Sequence, residues 1–347
     1  MPTSAAPAPI LTDGTLTLRP HTPADEGGIV EQSTDEQSQR WTTVPRHYTR
    51  ADAIAFLEHI ASQWKDPRGV RYWALEVTAA DGRPRFGGTI DLRPGEAWDH
   101  ASIGFGLHPA ARGRGAMSRA VRLVATHAFE DGPWGRPLGR IHWRAIAGNW
   151  GSRRVAWATG FTFHGTLPGT HPNVQDPSGP ALDCWHASLA AGEPMHPRVP
   201  WLEPVVLEKG GIRLRAFRES DVDALEERND PEHWFPQRSL LHPETFDAWL
   251  ARRRELMASG SAVEWAIADA ATDRILGGVA VFVLTGTLTG DVAELGYQLV
   301  PSARGKGAMK AACRLAISHA FRAREDGGLG LRRLVAETAA DNAASNG

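Results

Sequence analysis

Apolar and polar residues alternate from Thr15 through Leu16, Thr17 and Leu18 to Arg19, and again from Gly211 through Ile212, Arg213 and Leu214 to Arg215. A period of two predicts a half-buried strand at each place. A helix is expected after both. Thr22 and Pro23 with Asp25 and Glu26 form the start signal in the first copy, and Ser220 with Asp223 in the second. The stretches Trp41 to Pro45 and Trp234 to Pro236 follow, and a second helix is predicted after each. Thr49 with Asp52 caps the first of these, in which Ile54, Leu57, Ile60, Ala61 and Trp64 recur at helical spacing. Pro243 opens the other, with Phe246, Trp249, Leu250 and Met257 on one face. The run Arg252, Arg253, Arg254 reads as the solvated side of that helix.

The halves stay in step beyond this point. A hairpin is predicted from Tyr72–Val77, a turn at Asp81 and Gly82, and Phe86–Ile90; its partners are Trp265–Ile267 and Leu276–Ala280. The next strand, Ile103 to Leu107, leads into Arg112, Gly113, Arg114, Gly115, Ala116 and Met117, and a helix is predicted from about Met117 to Phe129. The same arrangement returns after Leu295–Leu299 as Arg304, Gly305, Lys306, Gly307, Ala308 and Met309, 192 positions on. Strands at Arg140–Arg144 and Arg333–Glu337 come after. The first copy then passes through Asn149 and Ser152 into a short helix ending at Gly160, and closes with strands at Phe161–Leu167 and Leu182–Leu189. The second stops at Gly347 without the last helix and the two closing strands. A core short of two strands leaves a sheet edge uncovered. The expectation is therefore a C-terminally truncated second copy, or one that another subunit completes. The predicted organisation is a flexible N-terminus (1–9), a first domain (10–190), a Pro- and Gly-rich linker (191–206) and an incomplete second domain (207–347).

At 347 residues the chain is long enough for two cores, and 42% hydrophobic with 22% charged residues suits a soluble globular protein. A formal net charge of −2 supplies no broad basic field, so neither a nucleic-acid nor a membrane-surface partner is expected. Cys184 and Cys313 cannot form a disulfide framework, which suits a reducing, cytoplasmic setting. The N-terminus lacks a basic stretch followed by an apolar one, and no apolar run reaches membrane-span length. Histidines are scattered without ligand spacing, so no metal is expected.

A glycine-rich turn between a strand and a helix N-terminus is a phosphate cradle. Glycines let the backbone approach, and free N–H groups with the helix dipole attract anionic oxygens. Each copy therefore reads as a holder of the pyrophosphate of an acyl-CoA. With the repeated element order, these residues resemble the GNAT N-acetyltransferases, in particular the branch acting on ribosomal-protein N-termini. The family signature Arg/Gln-x-x-Gly-x-Gly/Ala is matched by Arg112 and Gly115 and by Arg304 and Gly307. Met117 and Met309 depart from it at the last position. The resemblance implies two tandem α+β GNAT folds, each a mixed, mostly antiparallel sheet flanked by helices. It implies transfer of an acetyl group from acetyl-CoA to a primary amine, in a small molecule or at a protein N-terminus.

The same resemblance assigns roles. The amides of 113–117 and 305–309 would hold CoA, with Arg112, Arg114, Arg304 and Lys306 adding charge. In the family the signature strand splays from its neighbour, which would expose amides near Leu107 and Leu299 to the pantetheine arm and the thioester oxygen. The family's usual acid, a Tyr, is replaced by Ala156, and Ser152 and Ser345 stand where the ribosomal branch has a Ser for the leaving group. Ser152 could instead only cap its helix. Asn149 and Asn342 would meet pantetheine, or simply make the turn. Glu294 is the candidate base of the second copy, or else a solvated strand-end carboxylate. Its counterpart is Ser102, with Asp99 and His100 nearby. Trp41 and Trp234 would line the acceptor cleft or serve as packing. An α-amine, with a pKa near about 8, needs less help from a base than a lysine near about 10.4, and the weak base signal leans toward it. Two rivals remain at this point: one active and one degenerate domain, or a non-catalytic acyl-CoA-binding module.

Overall fold

The computed structural model describes residues 8–79, 81–228, 230–234, 240–284 and 291–346. Most of the expected N-terminal lead-in, and Phe235 and Pro236, lie outside the described residues. The chain divides into two compact units, Met1–Arg198 and Val199–Gly347, with the division inside the expected linker.

The first unit comprises β1 (Leu11–Thr12), β2 (Thr17–Arg19), α1 (Glu26–Thr34), α2 (Glu36–Trp41), α3 (Arg50–Lys65), β3 (Arg71–Thr78), β4 (Pro84–Pro94), β5 (His100–Leu107), α4 (Ala116–Glu130), β6 (Arg140–Ile146), α5 (Trp150–Ala158), β7 (Thr162–His171) and β8 (Leu182–Ala190). The sheet order is β1-β2-β3-β4-β5-β6-β8-β7, and only β5 and β6 run parallel. One face packs on α4. Leu18, Trp73, Ile90, Ile103, Ile141 and Trp143 meet Met117, Val121 and Val124 there. The alanines Ala120, Ala125 and Ala128 on α4 are fully buried and let the helix lie close to the sheet. Two expectations change. The α3 stripe is Ala53, Ile60 and the half-buried Leu57 and Trp64, while Ile54 and Ala61 face solvent. The short helix α2, capped by Asp35, carries too few apolar residues to be read from periodicity.

The second unit comprises β9 (Leu207–Lys209), β10 (Ile212–Arg215), α6 (Phe246–Ala258), β11 (Ala262–Asp269), β12 (Ile275–Val283), β13 (Val292–Leu299), α7 (Ala308–Phe321), β14 (Arg333–Val335) and α8 (Ala343–Asn346). Its sheet order is β14-β13-β12-β11-β10-β9, with β13 and β14 parallel. Among the described residues no strand covers the outer edge of β14, where β8 covers β6 in the first unit. The helix expected around Ser220 is a 3-10 turn, Glu219–Ala224. The Asp221 carboxylate there is held by Arg215 and by the Arg218 amide, and the residues that follow are charged rather than apolar, so no stripe exists to bury. Arg253 is another correction: it is buried against Glu264 (Nε–Oε2 2.9 Å), and only Arg252 of the arginine run is fully solvated. Among the described residues no helix is long and apolar enough to cross a membrane.

Candidate functional site

The signature strand of each unit ends in a 3-10 turn, Pro109–Ala111 or Pro301–Ala303, and then the glycine loop. Gly113 and Gly115 have φ of +75° and +70°, and Gly305 and Gly307 +72° and +79°. These are left-handed conformations that other residues adopt only under strain. A Cβ at any of the four would meet nothing within 4 Å, so the loop's outer side is open. The loop delivers the chain to the first turns of α4 and α7, whose leading amides have no carbonyl within the helix to bond. The Met117 side chain is buried in the core and Met309 packs against the other core, so each offers the loop only its amide. Ala116 and Ala308 are likewise buried.

Beside each loop the parallel strands part. Pairing of β5 with β6 ends at Ile103 and Trp143, and pairing of β13 with β14 ends at Glu294 and Val335. The His108 amide bonds the Gly87 carbonyl, and the Val300 amide bonds the Leu276 carbonyl. Successive strand amides point to opposite edges, so the amides of Leu107 and Leu299 face the open side of each splay.

The leading arginines, expected to add charge for CoA, each pair with an acidic residue. Arg112 donates to Asp35 (2.6 Å), Ser38 (3.3 Å) and the Leu107 carbonyl (3.3 Å). Arg304 donates to both oxygens of Asp230 (2.8 and 2.7 Å) and to the Leu299 carbonyl (3.4 Å). In both units the guanidinium ties the loop to the strand end and to an acidic residue of the preceding helical region. These bonds hold the Asp35 and Asp230 carboxyls below the ordinary carboxylate range. Lys306 turns back onto the Ser302 carbonyl (2.8 Å). Arg114 is exposed and makes no hydrogen bond or ion pair among the described residues. The sequence signal for the two acids was an Asp a few residues before each of Trp41 and Trp234.

Those tryptophans reach one turn in each unit. The tip of the Trp41 ring lies 3.1 Å from where a Cβ on Gly148 would sit, next to Asn149. Trp234 donates its indole N–H to Asp341 (3.0 Å), next to Asn342. Asn149 caps α5, accepting from the Ser152 amide (3.1 Å), and Asn342 accepts from the Ser345 amide (3.3 Å). The cap is therefore Asn149 and not Ser152. Ser152 Oγ instead accepts the indole N–H of buried Trp143 (3.0 Å). Glu294 is half-buried between Phe282 and Val335 and makes no hydrogen bond among the described residues. Asp99 stands beside His100 (3.8 Å), and His100 Nδ1 is 3.1 Å from His142 Nε2.

A cleft of about 480 Å³ flanks the second loop on its β10–β11 side, touching Lys306, Gly307 and Ala308. Among the described residues no group of three or more His, Cys, Asp or Glu is arranged to hold a metal ion.

A family model described as an acetyltransferase (GNAT) domain matches residues 15–162 and 212–347. No curated protein matches the chain. Similar solved structures include a GNAT-family acetyltransferase from Bacillus anthracis, 16% identical over 53% of this chain and 100% of that one, with a TM-score of 0.45. Another is the microcin C7 self-immunity acetyltransferase in complex with acetyl-CoA and AMP, at 18% over 54% and 98% with a TM-score of 0.45. A third is a ribosomal L7/L12 alpha-N-protein acetyltransferase, at 16% over 55% and 98% with a TM-score of 0.45.

Proposed function

Because this chain belongs to the GNAT acetyltransferase family, we propose that it moves an acetyl group from acetyl-CoA to a primary amine, by direct transfer with both substrates bound. The observation that carries this reading is the pairing of a glycine loop with a strand splay, in each unit. The amides of 113–117 and 305–309 would take the pyrophosphate, with Arg114 adding charge in the first unit. The amides of Leu107 and Leu299 would meet the thioester oxygen as charge builds on it, where a fixed donor contributes most. Arg112 and Arg304 set the loop's position rather than touching phosphate. The Trp41 and Trp234 turns would wall the acceptor cleft, with Asn149 and Asn342 beside the pantetheine arm. Ser152 and Ser345 would serve the departing thiolate. The acceptor class is an amine that loses its proton readily, such as a protein N-terminal α-amine or a moderately basic small molecule.

Calorimetric titration of acetyl-CoA, followed by thiol release in the presence of an amine panel, tests the reading. Two sites with amine-dependent thiol release are expected. Binding without release for any amine would make the chain a non-catalytic acyl-CoA module. A second reading, one active and one degenerate unit, is favoured by the different side chains at the two splays; a single titrating site would establish it.

A further inference from the structure

Gly104 is the first residue of β5 beyond its last pair with β6. Two polar groups fill the space its missing side chain leaves. A Cβ there would lie 2.8 Å from Asp91 Oδ2 and 2.8 Å from Arg93 Nη2. Two residues on, a Cβ at Gly106 would lie 2.8 Å from the Gln32 amide nitrogen. So the mouth of the first splay is roofed by a carboxylate from β4 and a carboxamide from α1. Asp91 is 5% exposed, faces Tyr72 across the β3–β4 pair, and its Oδ1 has no well-directed hydrogen bond. Arg93 is ion-paired with it (Nε–Oδ1 2.8 Å) and donates from Nη2 to Oδ2 (3.1 Å), but its side chain is 55% exposed, so solvent screens its charge.

The second unit fills the same place from other elements. Ala280 pairs with Gly296 as Asp91 pairs with Gly104, and the Phe282 ring covers Gly296, 2.9 Å from a Cβ placed there. The carboxylate is Glu294, directly opposite Phe282 on β13, where the first unit has Ser102 opposite Arg93. The carboxamide is Gln298, which accepts from Arg228 (2.8 Å) and from the Leu241 amide (3.0 Å). Each mouth thus has one carboxylate and one carboxamide, from β4 and α1 in the first unit and both from β13 in the second.

We propose that Asp91 is the acceptor-facing carboxylate of the first unit, holding the incoming ammonium and taking its proton, the part Glu294 would play in the second. This rests on the reading of each unit as an acetyltransferase. The ammonium gives a proton to Asp91, and its freed lone pair forms the C–N bond to the thioester carbonyl. The tetrahedral species then breaks its C–S bond, the departing CoA thiolate takes up the second proton from the nitrogen to leave a neutral amide, and Asp91 releases the first proton to solvent. Burial pushes the Asp91 carboxyl above its ordinary range against the pull of Arg93, which makes it a stronger base. The groups facing it are Arg93 on its own strand and Tyr72 on β3, with the uncharged Gln32 of α1 over the adjoining glycine.

The test uses the full chain carrying Gly307→Glu, which leaves only the first loop able to bind. Acetyl-CoA turnover is followed with an alanyl tetrapeptide bearing a free α-amine and, in parallel, spermidine. Asp91→Asn should lower kcat about 100-fold, leave acetyl-CoA affinity unchanged by calorimetry, and remove the acidic limb of the kcat–pH profile. Asp91→Glu should restore part of the rate with a shifted limb, and it carries the test if the Asn variant does not fold. In the reciprocal Gly115→Glu chain, Asp91→Asn should leave turnover as it was. An Asp91→Asn enzyme with undiminished rate and the same pH profile overturns the inference alone. A Gly307→Glu parent that binds acetyl-CoA and acetylates no amine overturns it, and the proposed function falls with it only when the unsubstituted chain is inactive on the same amines.

Discussion

Trp73 meets His127 edge-on in the first unit as Trp265 meets His319 in the second, with ring centroids 6.1 and 5.6 Å apart. The Arg19–Asp25 clip on the first strand recurs as Arg215–Asp221. The glycine loops and the strand splays repeat in backbone detail. At the mouths the likeness stops: Asp91, Arg93, Ser102 and His142 stand in one unit where Ala280, Phe282, Glu294 and Val335 stand in the other. Even the buried ion pair has moved. Glu264 on β11, with Arg253 from α6, fills the second unit where Tyr72 lies in the first, and burial pushes the Glu264 carboxyl up to about 7. The backbone features proposed to hold the cosubstrate are fixed by φ and by register. The side chains that meet an acceptor can come from any strand facing the same space.

The largest effect should come from breaking that shared backbone. Gly115→Glu and Gly307→Glu each put a side chain on a left-handed residue and a negative charge at a helix N-terminus. A loss of about 3 kcal/mol, roughly 100-fold in affinity, is expected at the substituted unit only. Acetyl-CoA stoichiometry by calorimetry should fall by one site for each substitution; a single substitution that removes both sites would show that the loops do not act separately. Next come the shared cores. Trp73→Ala and Trp265→Ala each empty a fully buried indole and should cost about 3–5 kcal/mol in denaturant unfolding. A much smaller cost for Trp265→Ala would mean that the second unit, where no strand covers the β14 edge among the described residues, has a core that relaxes around the gap.

The elements that make up this likeness were legible from the chain. Alternation gave β2 and β10, the Thr49–Asp52 box starts α3 as read, and the repeated loops led to the family. Asp91 was not legible, because the 192-residue register sets Ser102 against Glu294 and points the eye along β5, whereas the carboxylate sits on the neighbouring strand. Arg253 looked like one of three solvated arginines, since its partner Glu264 lies on a different element. Arg112 and Arg304 were expected to add charge to the loops, and only geometry shows the ion pairs they make with Asp35 and Asp230. Short-range order follows from local pattern, while a polar group's partner depends on which strands the topology sets side by side.

A smaller effect separates the units by pH. His21 is buried against Phe56 and Phe86, with Nε2 3.0 Å from Thr89 Oγ1. Desolvation, opposed by Asp25, lowers its pKa to about 4. The corresponding residue after the second clip is Phe217. The folded first unit therefore favours neutral His21, and the unfolded chain binds the proton more readily. Stability from this site is present above about pH 6.5 and is lost as pH falls toward 4, by about 3 kcal/mol in all. His21→Phe should flatten that part of the stability–pH curve. An unchanged curve would mean that the imidazole is already solvated in the folded unit.

The smallest effect concerns Ser152. Its hydroxyl accepts the indole N–H of Trp143, which is 1% exposed, and the corresponding strand position in the second unit is Ala336. Ser152→Ala leaves a buried donor unpaired and should cost about 1–2 kcal/mol of stability. Ser345→Ala has no such donor to strand and should leave stability nearly untouched. If both hydroxyls also serve the departing thiolate, the two substitutions will lower kcat alike while differing in melting temperature. If only the packing role holds, Ser345→Ala will be silent in both measurements, and Ser152→Ala will act on stability without a matching loss of kcat under conditions where it is folded.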